Sequence, residues 1–293
     1  MKMKIFLKLH KNQILSGALL FLAALMALAG LYFWNLWHKP ELQIYFFDVG
    51  QGDSIFIEAQ DGTQILIDGG PTNKILPFLG GVMPFYDHSI DAVILTHPHA
   101  DHVSGLIEVL KRYSVSEVIE SGASYNTAEA QEFENLISEK HIKKIIIDKP
   151  VKLSFFKNAA LNFLFPDKSF EGQILKNVHD SALVSELDFE GKKILFMADA
   201  EKKLERYLLQ KGVLEDIDVL KAGHHGSKTS SNDFFLKAVK PEYAVISVGA
   251  RNRYGHPHQD VLSRLASAGA KIFRTDLDGT ITLEIRNGEL IWK

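Results

Sequence analysis

The 293-residue chain contains no cysteine. That absence excludes disulfides, thiolate metal ligands and a cysteine nucleophile. It is compatible with a location outside the cytoplasm without requiring one. A strong charge of either sign is lacking too, since 33 basic and 36 acidic residues leave a formal net charge of −3. The near balance conceals a bias. Lys2, Lys4, Lys8 and Lys11 fall in a stretch without acids, so the remainder is more acidic than the whole. An acidic body argues against tight, static binding of duplex nucleic acid, which needs a basic face. There is neither a low-complexity tract nor a tandem repeat. Hydrophobic content of 46% and charged content of 24% are ordinary globular values. The length suits one large domain or two small ones.

One long apolar run is present. Ile14 to Trp37 carries no charge, and at about 24 residues it is long enough to cross a bilayer with some tilt. Tyr32, Trp34 and Trp37 cluster at its far end, where interfacial aromatics are expected, and the lysines precede it. By the positive-inside rule the N-terminus stays in the cytoplasm and the rest is exported. Ala27-Leu28-Ala29 looks like a signal-peptide cleavage site, but the apolar run continues past it to Trp37, which favours an uncleaved anchor. The expected organisation is a basic cytoplasmic N-terminus over 1–13, a transmembrane anchor over 14–37, a short linker over 38–41 and a folded domain over 42–293.

Within that domain, short runs rich in Ile, Phe and Val alternate with helix-like stretches. Strands are expected at Leu42–Phe47, Ser54–Glu58, Gln64–Ile67 and Ala92–Leu95, and ten more from Val118 to Lys293. Helices are expected at Val103–Arg112, Ala128–Lys140, Glu201–Gln210, Asn232–Val239 and His258–Ala268. Strands then helices, twice over, suit two sheets packed face to face with helices outside.

The chemistry concentrates in Thr96-His97-Pro98-His99-Ala100-Asp101-His102, which places three histidines and an aspartate in an HxHxDH pattern between a buried strand and a helix. Imidazole and carboxylate suit zinc and its borderline neighbours. Further polar stretches sit beside predicted strands. They are Asp48-Val-Gly-Gln-Gly-Asp53-Ser54, Asp68-Gly69-Gly70, His179-Asp180-Ser181, Ala198-Asp199-Ala200, Lys221-Ala-Gly-His224-His225-Gly226-Ser227-Lys228 and Arg251-Asn-Arg253-Tyr254-Gly255-His256-Pro257-His258.

HxHxDH, an aspartate after an apolar strand and GHHGS together resemble the metallo-β-lactamase superfamily. That resemblance implies an αββα sandwich with a metal site along one edge, here preceded by one transmembrane helix. In their order, DVGQGDS, LIDGG, THPHADHVSG, LKAGHHGSKTS and RYGHPH are similar to the hydrolase domain of ComEC-type competence proteins, over roughly Gln43 to Lys293. The chain departs from that branch in having a single apolar span and no multi-spanning channel, so a part in moving DNA across a membrane is not implied.

Beside the resemblance, the residues suggest two divalent ions, zinc or manganese. His97 and His99 suit one ion, with His179 as its third histidine or Asp180 or water in its place. Asp101 and His102 suit the other, and Asp199 is the candidate bridge. His224 or His225 completes the second site, and His224 is favoured with His225 in support. Asp101, Lys228 and His256 are expected to act in catalysis, with His256 or a bound water as proton donor to the leaving oxygen. Asp53, Ser227, Lys228, Arg253 and His258 are expected to contact substrate. Asp53 and Asp68 also have alternative roles, as turn residues or as partners behind the metal ligands.

The function expected is hydrolysis of a phosphodiester by metal-activated water, with DNA, single-stranded, as the substrate the resemblance implies. A small cell-surface phosphodiester, a lactone or β-lactam, and a non-catalytic anchored binding module are the alternatives. No nucleotide cofactor is expected, and the oligomeric state is left open.

Overall fold

A computed structural model describes residues 15–31 and 39–293. Helix α1 covers residues 15–31, and its Leu19, Leu20, Phe21 and Leu22 are exposed. Among the described residues no helix is long and apolar enough to cross a membrane. The rest of the expected anchor, with its aromatic end at Tyr32, Trp34 and Trp37, and the basic N-terminus lie outside the described residues, as does His38 of the linker.

From Glu41 onward the chain forms one unit built on two sheets. It opens with β1 (Leu42–Phe46), β2 (Ile55–Ala59) and β3 (Gln64–Ile67), paired antiparallel. Helix α2 (Ile75–Val82) crosses over to β4 (Ser89–Leu95), α3 (Ala100–Arg112) to β5 (Ser114–Glu120), and α4 (Ala128–Glu139) to β6 (Lys143–Ile146). These last four strands, β3 to β6, run parallel. Parallel neighbours need such crossovers, because a two-residue turn only reverses a chain.

The second sheet repeats the plan. Antiparallel β7 (Val151–Phe156), β8 (Ala159–Phe165), β9 (Val184–Phe189) and β10 (Lys192–Phe196) come first. Then α5 (Lys202–Lys211), β11 (Val219–Lys221), α6 (Asp233–Val239), β12 (Tyr243–Ile246), α7 (Gln259–Ser267) and β13 (Lys271–Arg274) follow, with β10 to β13 parallel. A short α8 (Thr275–Asp278) leads back to the first sheet, where β14 (Ile281–Arg286) pairs with β1 and β15 (Glu289–Trp292) forms the edge.

Strand alternation sends one set of side chains between the sheets. Ile44, Ile57, Ile65 and Ile94 of the first meet Leu161, Leu187, Phe196 and Val245 of the second. The opposite faces are covered by helices. Val93 and Phe56 pack with Val103, Leu106 and Leu110 of α3, while Leu195 and Leu220 pack with Leu204, Leu208 and Phe235 of α5 and α6. The result is the expected αββα sandwich.

Three differences from the sequence reading have local causes. Helix α2 was not anticipated, since Pro77 and the Gly80-Gly81 pair argue against a helix. Strand β7 is an edge strand with Val151 and Lys152 exposed, so it lacks a full apolar alternation. Helix α3 starts at Ala100 and not Val103, which places Asp101 and His102 on its first turn.

Candidate metal centre

The strand ends that face one edge of the sandwich deliver the motif residues. His97 and His99 follow β4, Asp101 and His102 open α3, Asp199 follows β10, and His224 and His225 follow β11. His179 lies on the 3-10 turn between β8 and β9. The entry to α3 is fixed by close backbone approach. Gly105 N–H donates to the Gly70 carbonyl at 2.9 Å, Gly69 N–H donates to the His102 carbonyl at 2.8 Å, and a Cβ on Gly105 would stand 1.8 Å from the Gly69 oxygen.

Two groups of donors result. In the first, His99 Nδ1 lies 3.1 Å from His97 Nε2 and 3.0 Å from His179 Nε2. Asp199 Oδ2 lies 3.7 Å from both of those Nε2 atoms. In the second, His102 Nε2 and His225 Nε2 each lie 3.5 Å from Asp199 Oδ1. Asp101 stands 4.0 Å from His102 and 3.5 Å from His225. A tetrahedral ion with bonds of about 2.0–2.2 Å holds its donors about 3.3–3.6 Å apart. Asp199 gives one oxygen to each group.

The donor chemistry fits metal ions. Three ring nitrogens face one another in the first group, where bare lone pairs would repel. In the second, His102 Nε2, His225 Nε2 and Asp199 Oδ1 are buried and have no hydrogen-bond partner, a costly state unless a cation satisfies them.

Residues behind the donors fix their orientation. Asp68 takes His102 Nδ1–H at 2.7 Å and also accepts from the Thr96 backbone N–H and hydroxyl at 2.9 and 2.7 Å. His225 Nδ1–H donates to the Ser247 carbonyl at 3.0 Å, with Asp53 Oδ1 3.2 Å from the same nitrogen. Glu201 Oε1 lies 3.4 Å from His224 Nδ1 and 3.9 Å from His179 Nδ1. Glu201 and Lys221 went unmarked as functional residues in the sequence; the two-residue interval between Asp199 and Glu201 was the available signal.

Burial pushes His97 well down and His99 down to about 4, helped by neighbouring imidazoles. Both are neutral, the form that binds metal. Burial would also lower His225, but Asp199 and Asp53 hold it up at about 10. Burial would raise Asp199, yet His225 and His102 keep it well below the carboxylate range.

The pairing of histidines differs from the favoured reading: His225, not His224, joins Asp101 and His102. Both residues sit in the left-handed region, at φ 48° and 52°, which turns their rings apart. Both line the cleft, but His225 is buried while His224 is half-buried, its Nε2 3.8 Å from Asp199 Oδ2. Two non-glycine residues in succession with positive φ is the kind of strain held at functional sites.

A cleft of about 340 Å³ opens over the donors, lined also by Gln51, Tyr125, Tyr254 and His256. His256 is therefore brought to the site. Burial and the neighbouring His225, His224 and His258 hold it down at about 4. Asp53 and Ser227 are buried and cannot reach substrate as expected. Asp53 serves His225 and Lys221 instead, and Ser227 Oγ pairs with Thr229 Oγ1 at 3.0 Å. Arg253 is exposed and turned onto the ring and hydroxyl of Tyr254. His258 caps the start of α7 beside His256, ring centres 5.2 Å apart. Lys228 is exposed and lines a separate groove beside α5. Asp180 pairs with Lys203, away from the donors.

Sandwich and donor set together define a class. The family model described as the metallo-beta-lactamase superfamily matches residues 47–250, and the chain belongs to that superfamily. Its members' fold implies divalent metal ions. The chain is 32% identical over 268 residues to ComE operon protein 3 of Bacillus subtilis, covering 85% of this chain and 34% of that protein. It is 29% identical to competence protein ComA of Neisseria gonorrhoeae, covering 90% of this chain and 36% of that one. It is 28% identical to recombination protein 2 of Haemophilus influenzae, covering 83% and 29%. The chain thus spans about a third of the length of these curated relatives, and they bear out the resemblance to ComEC-type competence proteins. Among solved structures, Igni18, a metallo hydrolase from Ignicoccus hospitalis, shares the fold with a TM-score of 0.53 at 16% identity, covering 83% of this chain and 100% of that one. CmlA, a diiron β-hydroxylase from Streptomyces venezuelae, does so with a TM-score of 0.55 at 17% identity, covering 84% and 55%.

Proposed function

We propose that this chain is a metal-dependent phosphodiesterase that cuts DNA, held at the outer face of a cell membrane by its N-terminal apolar segment. The observation that carries the reading is the division of Asp199, one oxygen to each of two donor groups. A pair of divalent ions, zinc or manganese, would supply an acidified water and clamp both the attacking and leaving oxygens of a phosphoryl transfer.

His97, His99, His179 and Asp199 would hold the first ion. Asp101, His102, His225 and Asp199 would hold the second. His224 and His256 reach the cleft from the GHHGS and RYGHPH segments. As a neutral imidazole, His256 can hydrogen-bond a phosphate or leaving oxygen there, which orients the substrate. Buried Asp68 and Asp53 keep His102 and His225 from rotating away. The relatives' names, competence and recombination proteins, support DNA as the substrate. The acidic body of the chain weighs against a long polyanion and keeps small phosphodiesters as the alternative substrate.

The test uses the full-length protein in detergent, loaded with zinc or manganese, beside His99→Ala. Cleavage of a labelled single-stranded oligonucleotide that is lost in the variant supports the reading. Turnover of a chromogenic phosphodiester without DNA cleavage moves the substrate to small phosphodiesters. Hydrolysis of neither, with metal bound, removes phosphodiester chemistry.

A further inference from the structure

A second cavity, of about 520 Å³, opens beside the metal centre at the carboxyl ends of β4 and β5. Leu95 and Glu120, the last residues of those strands, line it. Crevices outside the carboxyl ends of parallel strands are where α/β sheets bind ligands. The cavity adjoins the donors directly. His97 belongs to its wall, and Tyr125 lines both this cavity and the metal cleft. The half-buried Tyr125 ring meets His99 edge-on, with ring centres 5.2 Å apart. Two loops close one side. Gly172 N–H donates to the Gly122 carbonyl and Ser124 N–H to the Gln173 carbonyl, both at 2.9 Å. Ile174, on the second loop, lines the cavity and is exposed.

The charges of the cavity exclude a second phosphate. Glu120, Glu134 and Glu171 line it beside a single cationic side chain, Lys144. Lys144 is engaged, its ammonium 2.8 Å from Glu120 and 2.7 Å from Glu134. Three carboxylates around one neutralised cation repel an anion, so the part of a phosphodiester that enters here is its organic group. Acceptors remain open to it. Both oxygens of Glu134 meet Lys144, but a carboxylate has about four acceptor sites, and this side chain is 47% exposed. The exposed amide of Asn135 lies next to it on α4 and also lines the cavity.

We propose that this cavity seats the base of the nucleotide next to the scissile phosphate and prefers guanine, an inference that rests on the phosphodiesterase reading. Guanine carries two adjacent N–H donors and a carbonyl on one edge. The donors match a carboxylate, which accepts two parallel N–H bonds. The carbonyl matches the Asn135 amide. Thymine carries one N–H between two carbonyls, and those carbonyls would face carboxylates. Tyr125, at the boundary of the two cavities, offers its ring for the base to stack on.

The test titrates deoxyguanosine monophosphate and thymidine monophosphate, by calorimetry, into the full-length, metal-loaded protein in detergent. Both carry a phosphate for the metal centre, so the ratio of their affinities isolates the base. The titration is run well above about pH 7, the value to which burial lifts Glu120, so that this carboxyl is ionised. The guanine nucleotide is expected to bind about tenfold more tightly, the discrimination supplied by one good pair of hydrogen bonds to a base. Glu134→Gln, an exposed change on α4, is expected to abolish that preference. Equal affinities in wild type overturn the proposal, as does a preference that survives both Glu134→Gln and Glu120→Gln. Phosphocholine binding more tightly than either nucleotide also overturns it, and assigns the acids to a cationic alcohol. Turnover of the chromogenic phosphodiester by wild type reports separately on the reading beneath. Guanine preference without turnover sinks the phosphodiesterase and keeps the base site, whereas turnover without guanine preference sinks the base site alone.

Discussion

Lys221 is fully buried at the end of β11, and its ammonium rests on the carboxylate of Asp53. The other oxygen of Asp53 stands 3.2 Å from His225 Nδ1, so an ion pair sealed in the sandwich backs a candidate metal ligand. Breaking such a pair leaves a stranded charge, which costs about 3–5 kcal/mol. Asp53→Asn is expected to lose stability of that order in urea unfolding. It should also weaken the second ion by about 10–100-fold, the usual effect of removing a ligand's outer partner. Metal competition measures the second effect; lost stability with unchanged affinity would make the pair purely structural.

The two donor groups predict a pattern of metal content. Asp199→Ala is expected to lose both ions, and His225→Ala one. His224→Ala is expected to keep both and lose turnover, because its ring lines the cleft outside the second group. Mass-spectrometric metal analysis of the three purified variants reads this directly. An ion missing from His224→Ala with none missing from His225→Ala would reverse the assignment.

Glycines with opposite surroundings give opposite expectations. Gly105→Ala drives a methyl into the Gly69 carbonyl and should destabilise by at least about 1–3 kcal/mol, as overpacking does. Gly80→Ala in α2 meets nothing within 4 Å and should stabilise by about 0.5–1 kcal/mol by restricting the unfolded chain. Thermal melts of both variants at fixed metal concentration check the pair.

Burial raises the Glu120 carboxyl from an ordinary 4.5 to about 7, assisted by Glu134 and opposed by Lys144. The folded state thus holds this proton more tightly than the unfolded chain. Its stabilising contribution is complete below pH 4.5 and is lost as pH rises through about 7. Glu120→Gln is expected to flatten that part of the stability profile. Relative to wild type it should gain about 3 kcal/mol across the window. Parallel profiles in chemical denaturation at pH 4.5 and 7.5 would count against the shift.

Much of this architecture was legible because it rests on local patterns. The strand before Thr96 is a continuous apolar run, the helix after it carries a 3.6-residue apolar rhythm, and HxHxDH lies at their junction. Asp199 was legible for the same reason, as a carboxylate just past the apolar strand β10. The division of labour between His224 and His225 was not, because it depends on two left-handed backbone conformations that adjacent identical residues do not announce. Nor were the partners behind the donors. Lys221 looks like any lysine at a strand end, and its role needs Asp53, 168 positions away. Exposure misled in the other direction. Lys228 and Ser227 share a motif segment with His225, and Arg253 one with His256, yet a side chain's reach is set by the turn it sits on and not by its neighbours in sequence.

The order of pairing has a consequence for synthesis. Strands β7 to β13 are contiguous in the chain, so the second sheet can assemble as a block. The first sheet cannot, since β1 waits for β14 across more than two hundred residues. Until Ile281–Arg286 leaves the ribosome, the outer hydrogen-bonding row of Leu42–Phe46 has no native partner and is a template for pairing with other chains. A nascent chain stopped before Ile281 is therefore expected to aggregate or recruit chaperones and not to form a smaller native domain, which sedimentation of stalled or truncated chains would reveal.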